Sequence, residues 1–225
     1  MRKKVILISG KLQSGKNSSA DIIFNILNEK NKSNEHLFFA KDLKDACKED
    51  FQLLKNYLND FIGSIILKYT DDVNYGVLKE LSKLRISDDN FYENKTDMTR
   101  LLLQLYGTEI FRNRVGKNYW VDKVVDKIIE AQKEYYILTD VRFPNEINHL
   151  ENKLNGITSL RDYDVIKIRI NRSDINRKST IDEHPSETAL DEYDGWDYVI
   201  NTNGDLEELQ NKTIKIIKEI VDEEE

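Results

Sequence analysis

A short apolar run near the start of the chain leads directly into a glycine-bounded loop. Residues 5–8 are rich in β-branched side chains, and residues 10–16 match the pattern G-x-x-x-x-G-K. Apolar residues then recur at helical spacing, at Ala20, Ile23 and Leu27. Strand, loop and helix therefore succeed one another in the order that holds phosphate groups at a helix N-terminus. The alternative is a tight strand-to-helix turn that contains an incidental lysine.

The residues of this loop have distinct predicted roles. Backbone amides would converge on phosphate oxygens, and Lys16 would reach the β- and γ-phosphates. The residue after the lysine is usually Ser or Thr, whose hydroxyl binds Mg²⁺, but here it is Asn17, a weaker candidate metal ligand. The predicted ATP-binding residues of the loop are Gly10, Ser14, Gly15, Lys16, Asn17 and Ser18.

The composition limits what such a phosphate-binding chain can be. Its 225 residues suffice for one α/β domain with an insertion. A net charge of −7 disfavours nucleic acid polymers, whereas a small anion needs only a local basic pocket. The sequence has no membrane-length apolar run, no signal peptide and a single cysteine, Cys47, expected in the core. We therefore expect a cytoplasmic protein without nucleic acid or membrane partners, and a homodimer stays open.

Strand-like and helical segments alternate along the chain. Further strands are expected at residues 37–40, 135–139, 165–170 and 197–200, and a last helix is expected to begin at Asp205. The alternation predicts an α/β fold, a P-loop three-layer sandwich with a mainly parallel five-stranded sheet. Residues 57–97 exceed what a crossover needs, so we expect a helical substrate-binding insertion at about 57–115, or a merely decorative one. A charged loop at about 171–184 is expected to act as a lid.

Charged side chains come directly after the strand expected at residues 135–139. Asp140 ends the strand, where sheets of this class carry an acid that helps to hold Mg²⁺, and Arg142 would point into the same crevice. Asp140 fits a helix cap as well. In the expected lid, Arg177 is a candidate for closing over the transferred phosphoryl group, unless it is simply solvated.

A polar stripe follows residues 57–97 and precedes the strand expected at residues 135–139. Arg100 and Gln104 are one helical turn apart; a guanidinium fits phosphate, and an amide can pair with a base edge. A solvated helix face would show the same spacing, and Trp120 fits a core position equally well. The candidate substrate-binding residues of this region are Lys44, Arg100, Gln104, Thr108, Arg112 and Trp120.

Several sequence blocks occur in a characteristic order along most of the chain. They are GKLQSGKNSSAD, FAKDLK, RLLLQLYGTEIFR with YWVDKV, LTDVRFPNEI, EHPSETAL and VINTNGDLEEL. In this order they resemble the bacteriophage deoxynucleoside monophosphate kinases. The region around residues 57–95 contains no block that matches.

The resemblance implies a single P-loop kinase domain over residues 1–225. Such an enzyme transfers the γ-phosphoryl group of ATP, with Mg²⁺ as cofactor, to a deoxynucleoside 5′-monophosphate, in the host cytoplasm if the gene is phage-encoded. The resemblance places Arg100, Gln104 and Arg142 at the monophosphate, with Lys44 and Thr108 lining the same site. It also places the turn at Asn203 and Gly204 near the adenine of ATP.

The residues, considered without the family resemblance, agree with this chemistry. Phosphoryl transfer needs positioning and charge neutralisation more than a general base. The predicted catalytic residues are Lys16, Asp140, Arg142 and Arg177, and Asp140 is assigned to the metal, through water.

Two other functions stay open at this point. P-loop kinases share a core and differ in their insertions, so the acceptor could be another phosphorylated molecule, such as phosphomevalonate or dephospho-coenzyme A. Gln104 favours a nucleotide acceptor, because an amide that reads a base would have no function with a non-nucleotide acceptor. The chain could also be a non-catalytic nucleotide-dependent switch, in which Arg142 and Arg177 would be dispensable for binding ATP.

Overall fold

A computed structural model describes residues 2–54, 103, 107, 111–112, 115–157, 162–173 and 185–222. The chain divides into two compact units. Met1–Phe39 with Val121–Glu225 form the first, called the sheet unit below, and Ala40–Trp120 form the second unit. The single domain, its insertion at about 57–115 and the lid at about 171–184 stay predictions, and most of both segments lies outside the described residues.

Helices and strands alternate as the sequence predicts. In chain order the elements are β1 (Lys3–Ser9), α1 (Lys16–Glu29), β2 (Asn34–Leu37), α2 (Phe39–Leu54), α3 (Tyr119–Ala131), β3 (Tyr135–Leu138), α4 (Pro144–Ile157), β4 (Tyr163–Arg172), α5 (Pro185–Thr188), β5 (Tyr198–Thr202) and α6 (Leu206–Asp222). None of the described helices is long and apolar enough to span a membrane.

Several strand boundaries differ from the sequence expectation, two of them next to the candidate site. The strand expected at residues 37–40 ends at Leu37, because α2 begins at Phe39. β4 continues to Arg172, so the first two residues of the charged loop belong to a strand. Short apolar runs do not distinguish a strand from the first turn of a buried helix, which explains the first difference.

The described strands form one parallel sheet in the order β2-β3-β1-β4-β5. β1 lies between β3 and β4, with Leu7 opposite Leu138 on one side and Ser9 opposite Arg169 on the other. The prediction of a five-stranded P-loop-type α/β sheet is therefore confirmed. Because all five strands run in one direction, the segments after β1, β3 and β4 leave the same edge of the sheet, where ligands bind in such folds.

Helices cover both faces of the sheet. The side chains of β1 alternate between two separate cores: Val5 and Leu7 pack with α3 and α4, whereas Ile6 and Ile8 pack with α1 and α6. All four side chains are fully buried, and burial of one such side chain is worth about 1.5–3 kcal/mol. The sheet unit is thus a three-layer sandwich, as expected, and its core fixes the position of the loop after β1.

Helix α4 was not predicted from the sequence. It begins with Pro144, which is well suited to the first helical position, and buries Ile147, Leu150 and Leu154. This apolar spacing of three and four residues was a usable signal. Pro144 and Asn145 also favour turns, so the sequence is ambiguous at the point where the helix begins.

Candidate active site

The loop between β1 and α1 is shaped by two close approaches of the backbone. A Cβ atom on Gly10 would lie 2.5 Å from the carbonyl oxygen of Ile170, and one on Gly15 would lie 2.4 Å from Cδ2 of Leu209. Gly15 also has φ +99°, a left-handed conformation that side chains disfavour, and it serves as the N-cap of α1. Gly10 is therefore required by space, because the backbone carbonyl cannot move aside, and Gly15 is required by its backbone conformation.

Lys16 is the first residue of α1 and folds back over the loop. Its Nζ donates to the carbonyl oxygens of Gly10 at 2.5 Å and Lys11 at 2.7 Å. Asn17 and Ser18 are the next residues in the first turn of α1, where backbone N–H groups and the helix dipole favour an anion. Lys16 thus lies at the place where the motif requires a cation beside phosphate oxygens.

The electrostatic surroundings of Lys16 are mixed. The pKa of Lys16 is lowered from 10.5 to about 8, because burial and the positive charges of Arg142 and Arg169 outweigh the carboxylates of Glu187 and Asp140, which raise it. The first of these causes is the largest, and Arg142 comes next. Three cationic side chains therefore share one region of the sheet unit, which is the arrangement that a polyphosphate would neutralise.

Ser14 supplies a further polar atom to the loop. The residue is 2% exposed, and its hydroxyl oxygen finds no hydrogen-bond partner among the described residues. A buried hydroxyl that makes no hydrogen bond is costly and requires an explanation. A phosphate oxygen held within the loop would accept a hydrogen bond from it, which fits its predicted role in ATP binding.

The segment after β3 contains Asp140 and Arg142. The Oδ1 atom of Asp140 accepts a hydrogen bond from the backbone N–H of Phe39 at 3.2 Å, so this carboxylate caps the first turn of α2. Arg142 lies at the surface, and its Nη1 is 2.5 Å from Oε1 of Glu187 in α5. The helix-cap alternative for Asp140 is thus realised, while its role at a metal stays a prediction.

Strand β4 carries a second arginine, which sequence reasoning missed. Arg169 is 8% exposed. Its guanidinium donates to Oγ of Ser9 at 3.1 Å and to Oδ1 of Asp191 at 3.1 Å, and it lies 5.7 Å from the centre of the Trp196 ring. One signal could have revealed it, namely its position between Ile168 and Ile170, although Lys167 occupies a similar position in the same strand.

The described start of the predicted lid contacts the phosphate loop. Arg172, at the end of β4, donates from Nη1 to the carbonyl oxygen of Gln13 in the phosphate loop, at 3.2 Å. Arg177 lies outside the described residues, and its closure over the phosphoryl group stays a prediction.

The turn predicted near the ATP adenine is a compact hydrogen-bonded loop. The N–H of Gly204 donates to Oγ1 of Thr202, and the N–H of Asp205 donates to Oδ1 of Asn203, both at 3.1 Å. Asp205 then caps α6 by accepting from the N–H of Glu207 at 2.9 Å, which confirms the expected helix start. The turn is therefore well ordered by its own side chains, and its contact with adenine stays a prediction.

The second unit holds the candidate substrate-binding residues, of which only some are described. Arg100, Gln104 and Thr108 lie outside the described residues. Lys44 is half-buried on α2, and Arg112 donates from Nη1 to the carbonyl oxygen of Lys117 at 3.5 Å.

Trp120 lies in an aromatic cluster of the second unit. Its ring centre is 4.9 Å from that of Phe111 and 4.8 Å from that of Tyr119, and its Nε1 donates to the carbonyl oxygen of Gly107 at 3.5 Å. Cys47 is fully buried, as expected for a core thiol. The packing of Trp120 fits the core alternative, and its contact with substrate stays a prediction.

Comparison with known proteins decides the family. The family model for deoxynucleotide monophosphate kinase matches residues 56–213, more than half of the chain. The chain belongs to the deoxynucleotide monophosphate kinase family. It is 32% identical over 106 residues to the deoxynucleoside-5′-monophosphate kinase of Escherichia phage T5, covering 44% of this chain and 40% of that protein. It is 30% identical over 169 residues to the deoxynucleotide monophosphate kinase of Escherichia phage RB69, covering 74% of this chain and 63% of that protein.

The family assignment confirms the resemblance predicted from the ordered sequence blocks. Both relatives are longer than the part that this chain matches, since the alignments span 40% and 63% of their lengths. The family match also includes Glu187 and Asp191, two acids whose contacts with Arg142 and Arg169 sequence reasoning missed.

Proposed function

We propose that this protein transfers the γ-phosphoryl group of ATP to a deoxynucleoside 5′-monophosphate, giving the diphosphate and ADP. The observation that carries the proposal is Lys16, held at the end of a phosphate loop beside the charges of Arg142 and Arg169. Membership of the deoxynucleotide monophosphate kinase family supports the acceptor class. Nothing in the comparisons favours phosphomevalonate, dephospho-coenzyme A or a non-catalytic switch.

The described residues of the sheet unit have the charges that this reaction needs. Phosphoryl transfer proceeds by in-line displacement with little covalent participation of the protein, so positioning and neutralisation of negative charge are the main requirements. Lys16 would exchange its contacts with Gly10 and Lys11 for phosphate oxygens. Arg142 would bind the phosphate of the acceptor or the transferred group, and Arg177 would close over it from the lid.

Magnesium fits this set of residues. Mg²⁺ prefers oxygen ligands and, when bound with a nucleotide, takes only one or two of them from the protein, the rest being phosphate and water. Asp140 has a carboxylate and Asn17 an amide oxygen, so we assign the ion to Asp140, through water, with Asn17 as a weaker candidate. Mg²⁺ bound with ATP would neutralise charge that develops on the transferred group.

The deoxynucleoside monophosphate would be read by the second unit. Arg100 is proposed to bind its phosphate and Gln104 its base, because a guanidinium matches phosphate oxygens and an amide both donates and accepts. Thr108, Lys44, Arg112 and Trp120 complete the proposed site. Both curated relatives are phage proteins, which supports a place of action in the cytoplasm of an infected cell.

A substrate panel tests the proposal. ADP formation from ATP and Mg²⁺ would be measured with dAMP, dGMP, dCMP and dTMP, with the four ribonucleotides, and with phosphomevalonate and dephospho-coenzyme A. We expect stimulation by at least one deoxynucleotide, and loss of that stimulation in Gln104→Leu with ATP binding retained. Stimulation by a non-nucleotide acceptor would replace the proposed acceptor. Binding of ATP without stimulation by any acceptor would favour a nucleotide-dependent switch.

A further inference from the structure

A single carboxylate connects the phosphate loop to the buried end of β4. Asp191 comes shortly after α5, and its two oxygens contact different cations: Oδ2 lies 2.9 Å from Nζ of Lys11, and Oδ1 lies 3.1 Å from Nη2 of Arg169. Lys11 is the second residue of the phosphate loop. The carboxylate thus bridges an exposed lysine of the loop and a buried arginine of the strand.

The two contacts of Asp191 differ in strength. The Lys11 side chain is 57% exposed, and an ion pair at such a position contributes little by itself. The Arg169 side chain is 10% exposed, so its charge is shielded from water and depends on Asp191 for compensation. The contact with Arg169 therefore fixes the carboxylate, and the fixed carboxylate in turn limits where Lys11 can lie.

Arg169 also holds the residue that immediately precedes the loop. Ser9 lies opposite Arg169 in the sheet register, and its Oγ accepts from Nη1 of the guanidinium at 3.1 Å. The same hydroxyl donates to the carbonyl oxygen of Val141 at 3.0 Å, in the segment after β3. The residue before the phosphate loop is thereby tied to β4 through the buried Arg169 and to the segment after β3 through its own hydroxyl.

We propose that Asp191 is a positioning residue of the phosphate loop, which holds Lys11 and, through Arg169, Ser9 in the conformation that binds the polyphosphate of ATP. The inference rests on the proposed function only in that ATP is the nucleotide bound; it does not depend on the acceptor. Asp191 does not itself contact the nucleotide in this proposal, since its charge would repel phosphate.

A matched pair of variants tests the role of Asp191. Asp191→Asn keeps the shape of the side chain and removes its charge. Asp197→Asn is the control, because Asp197 belongs to the same segment but contacts Lys167, at 3.5 Å from its Nζ, rather than the loop. The Kd of each variant for ATP with Mg²⁺ would be measured by calorimetry, together with the melting temperature, and neither measurement needs an acceptor.

We expect Asp191→Asn to raise the Kd for ATP about ten-fold, in line with interaction energies within coupled networks. Asp197→Asn should stay within about two-fold of the unchanged protein, whatever its melting temperature. Asp191→Glu should recover part of the lost affinity. In steady-state assays the KM for ATP should rise, while the KM for the acceptor stays unchanged.

The variant Lys11→Met tests whether Asp191 acts on ATP binding through Lys11. If Asp191 acts partly by holding Lys11, the effects of Lys11→Met and Asp191→Asn must not add, so the double variant should bind ATP no more weakly than Asp191→Asn alone. Additive effects would mean that Lys11 contacts ATP independently and would overturn the proposal. So would an unchanged Kd in Asp191→Asn, or equal losses in Asp191→Asn and Asp197→Asn. If none of the acceptors in the substrate panel received a phosphoryl group, that result would contradict only the proposed function.

Discussion

The two strands that flank β1 end in similar sets of charges with different surroundings. After β3, Arg142 pairs with Glu187; within β4, Arg169 pairs with Asp191. Both acids come from the segment that begins with α5. The Arg142 side chain is 46% exposed, whereas that of Arg169 is 10% exposed.

This difference separates two kinds of arginine near one lysine. An ion pair whose arginine is 46% exposed is weakened by water, so Arg142 can exchange Glu187 for a phosphate at lower cost than the buried Arg169 can exchange Asp191. A buried arginine that loses its carboxylate leaves an uncompensated charge, so Arg169 is bound to its partners. We infer that the β3 side of the site is suited to bind ligands, and that the β4 side holds the loop in place.

Replacement of Lys16, which lies between the two sides, should have the largest effect. Lys16→Ala removes the cation at the phosphate loop, and we expect kcat/KM to fall about 10³-fold or more, as for other groups that stabilise transferred charge. The melting temperature should change little. Lys153→Ala is the control, since Lys153 is an exposed lysine on α4 that pairs with Asp122. Retention of activity in Lys16→Ala would remove the phosphate loop from the mechanism.

Separate replacement of the two arginines tests whether Arg142 binds ligand and whether Arg169 supports the loop. Arg142→Met should lower kcat/KM about 100-fold, with a smaller fall in melting temperature than Arg169→Met, because the Arg142 side chain is 46% exposed although that of Glu187 is 13% exposed. Arg169→Met leaves Asp191 without its buried partner, at a cost of about 2 kcal/mol, which corresponds to a melting temperature lower by about 4–8 °C.

Calorimetric melting and steady-state kinetics on both variants would check this division. If Arg142→Met were the less stable variant, or if Arg169→Met lost activity without losing stability, the assignment of ligand and support roles would be reversed.

The smallest expected difference between Arg142 and Arg169 concerns the pH dependence of ATP binding. The pKa of Lys16 is about 8, so its charge is complete at lower pH and is lost as the pH rises through about 8. ATP affinity should fall several-fold between about pH 7 and about pH 9, on either side of that pKa. Arg142 lowers the pKa of Lys16 more than Arg169 does, so the decline should move to higher pH in Arg142→Met and less in Arg169→Met. Fluorescence or calorimetric titration across this range would measure it, and an equal shift in both variants would contradict the ranking.

The parts of the fold that obey local rules could be predicted from the sequence. The glycine-bounded loop, the alternating strands and the cap at Asp205 depend on backbone conformation and apolar spacing, which a few neighbouring residues determine. The candidate site residues Lys16, Asp140 and Arg142 could be proposed for the same reason, since each lies shortly after a strand end.

The parts that depend on distant contacts could not be predicted. Arg169 and Asp191 are 22 residues apart, and nothing in their spacing indicates that they pair or that Lys11 joins them. The hydrogen bond between Asp140 and Phe39 joins residues 101 apart, so the sequence favoured a metal ligand and left the helix cap as an alternative. Side-chain partners across a sheet depend on its strand order, which the alternation of helices and strands does not give.

The contact between Gly15 and Leu209 has a consequence for synthesis of the chain. The loop leaves the ribosome about two hundred residues before Leu209 and before the carbonyl oxygen of Ile220, which accepts from the buried Nζ of Lys4. A nascent chain that lacks α6 therefore exposes one side of β1 and α1 and has no side chain over Gly15. Competence to hold a nucleotide should accordingly arise only after α6 has been synthesised and has docked beside α1.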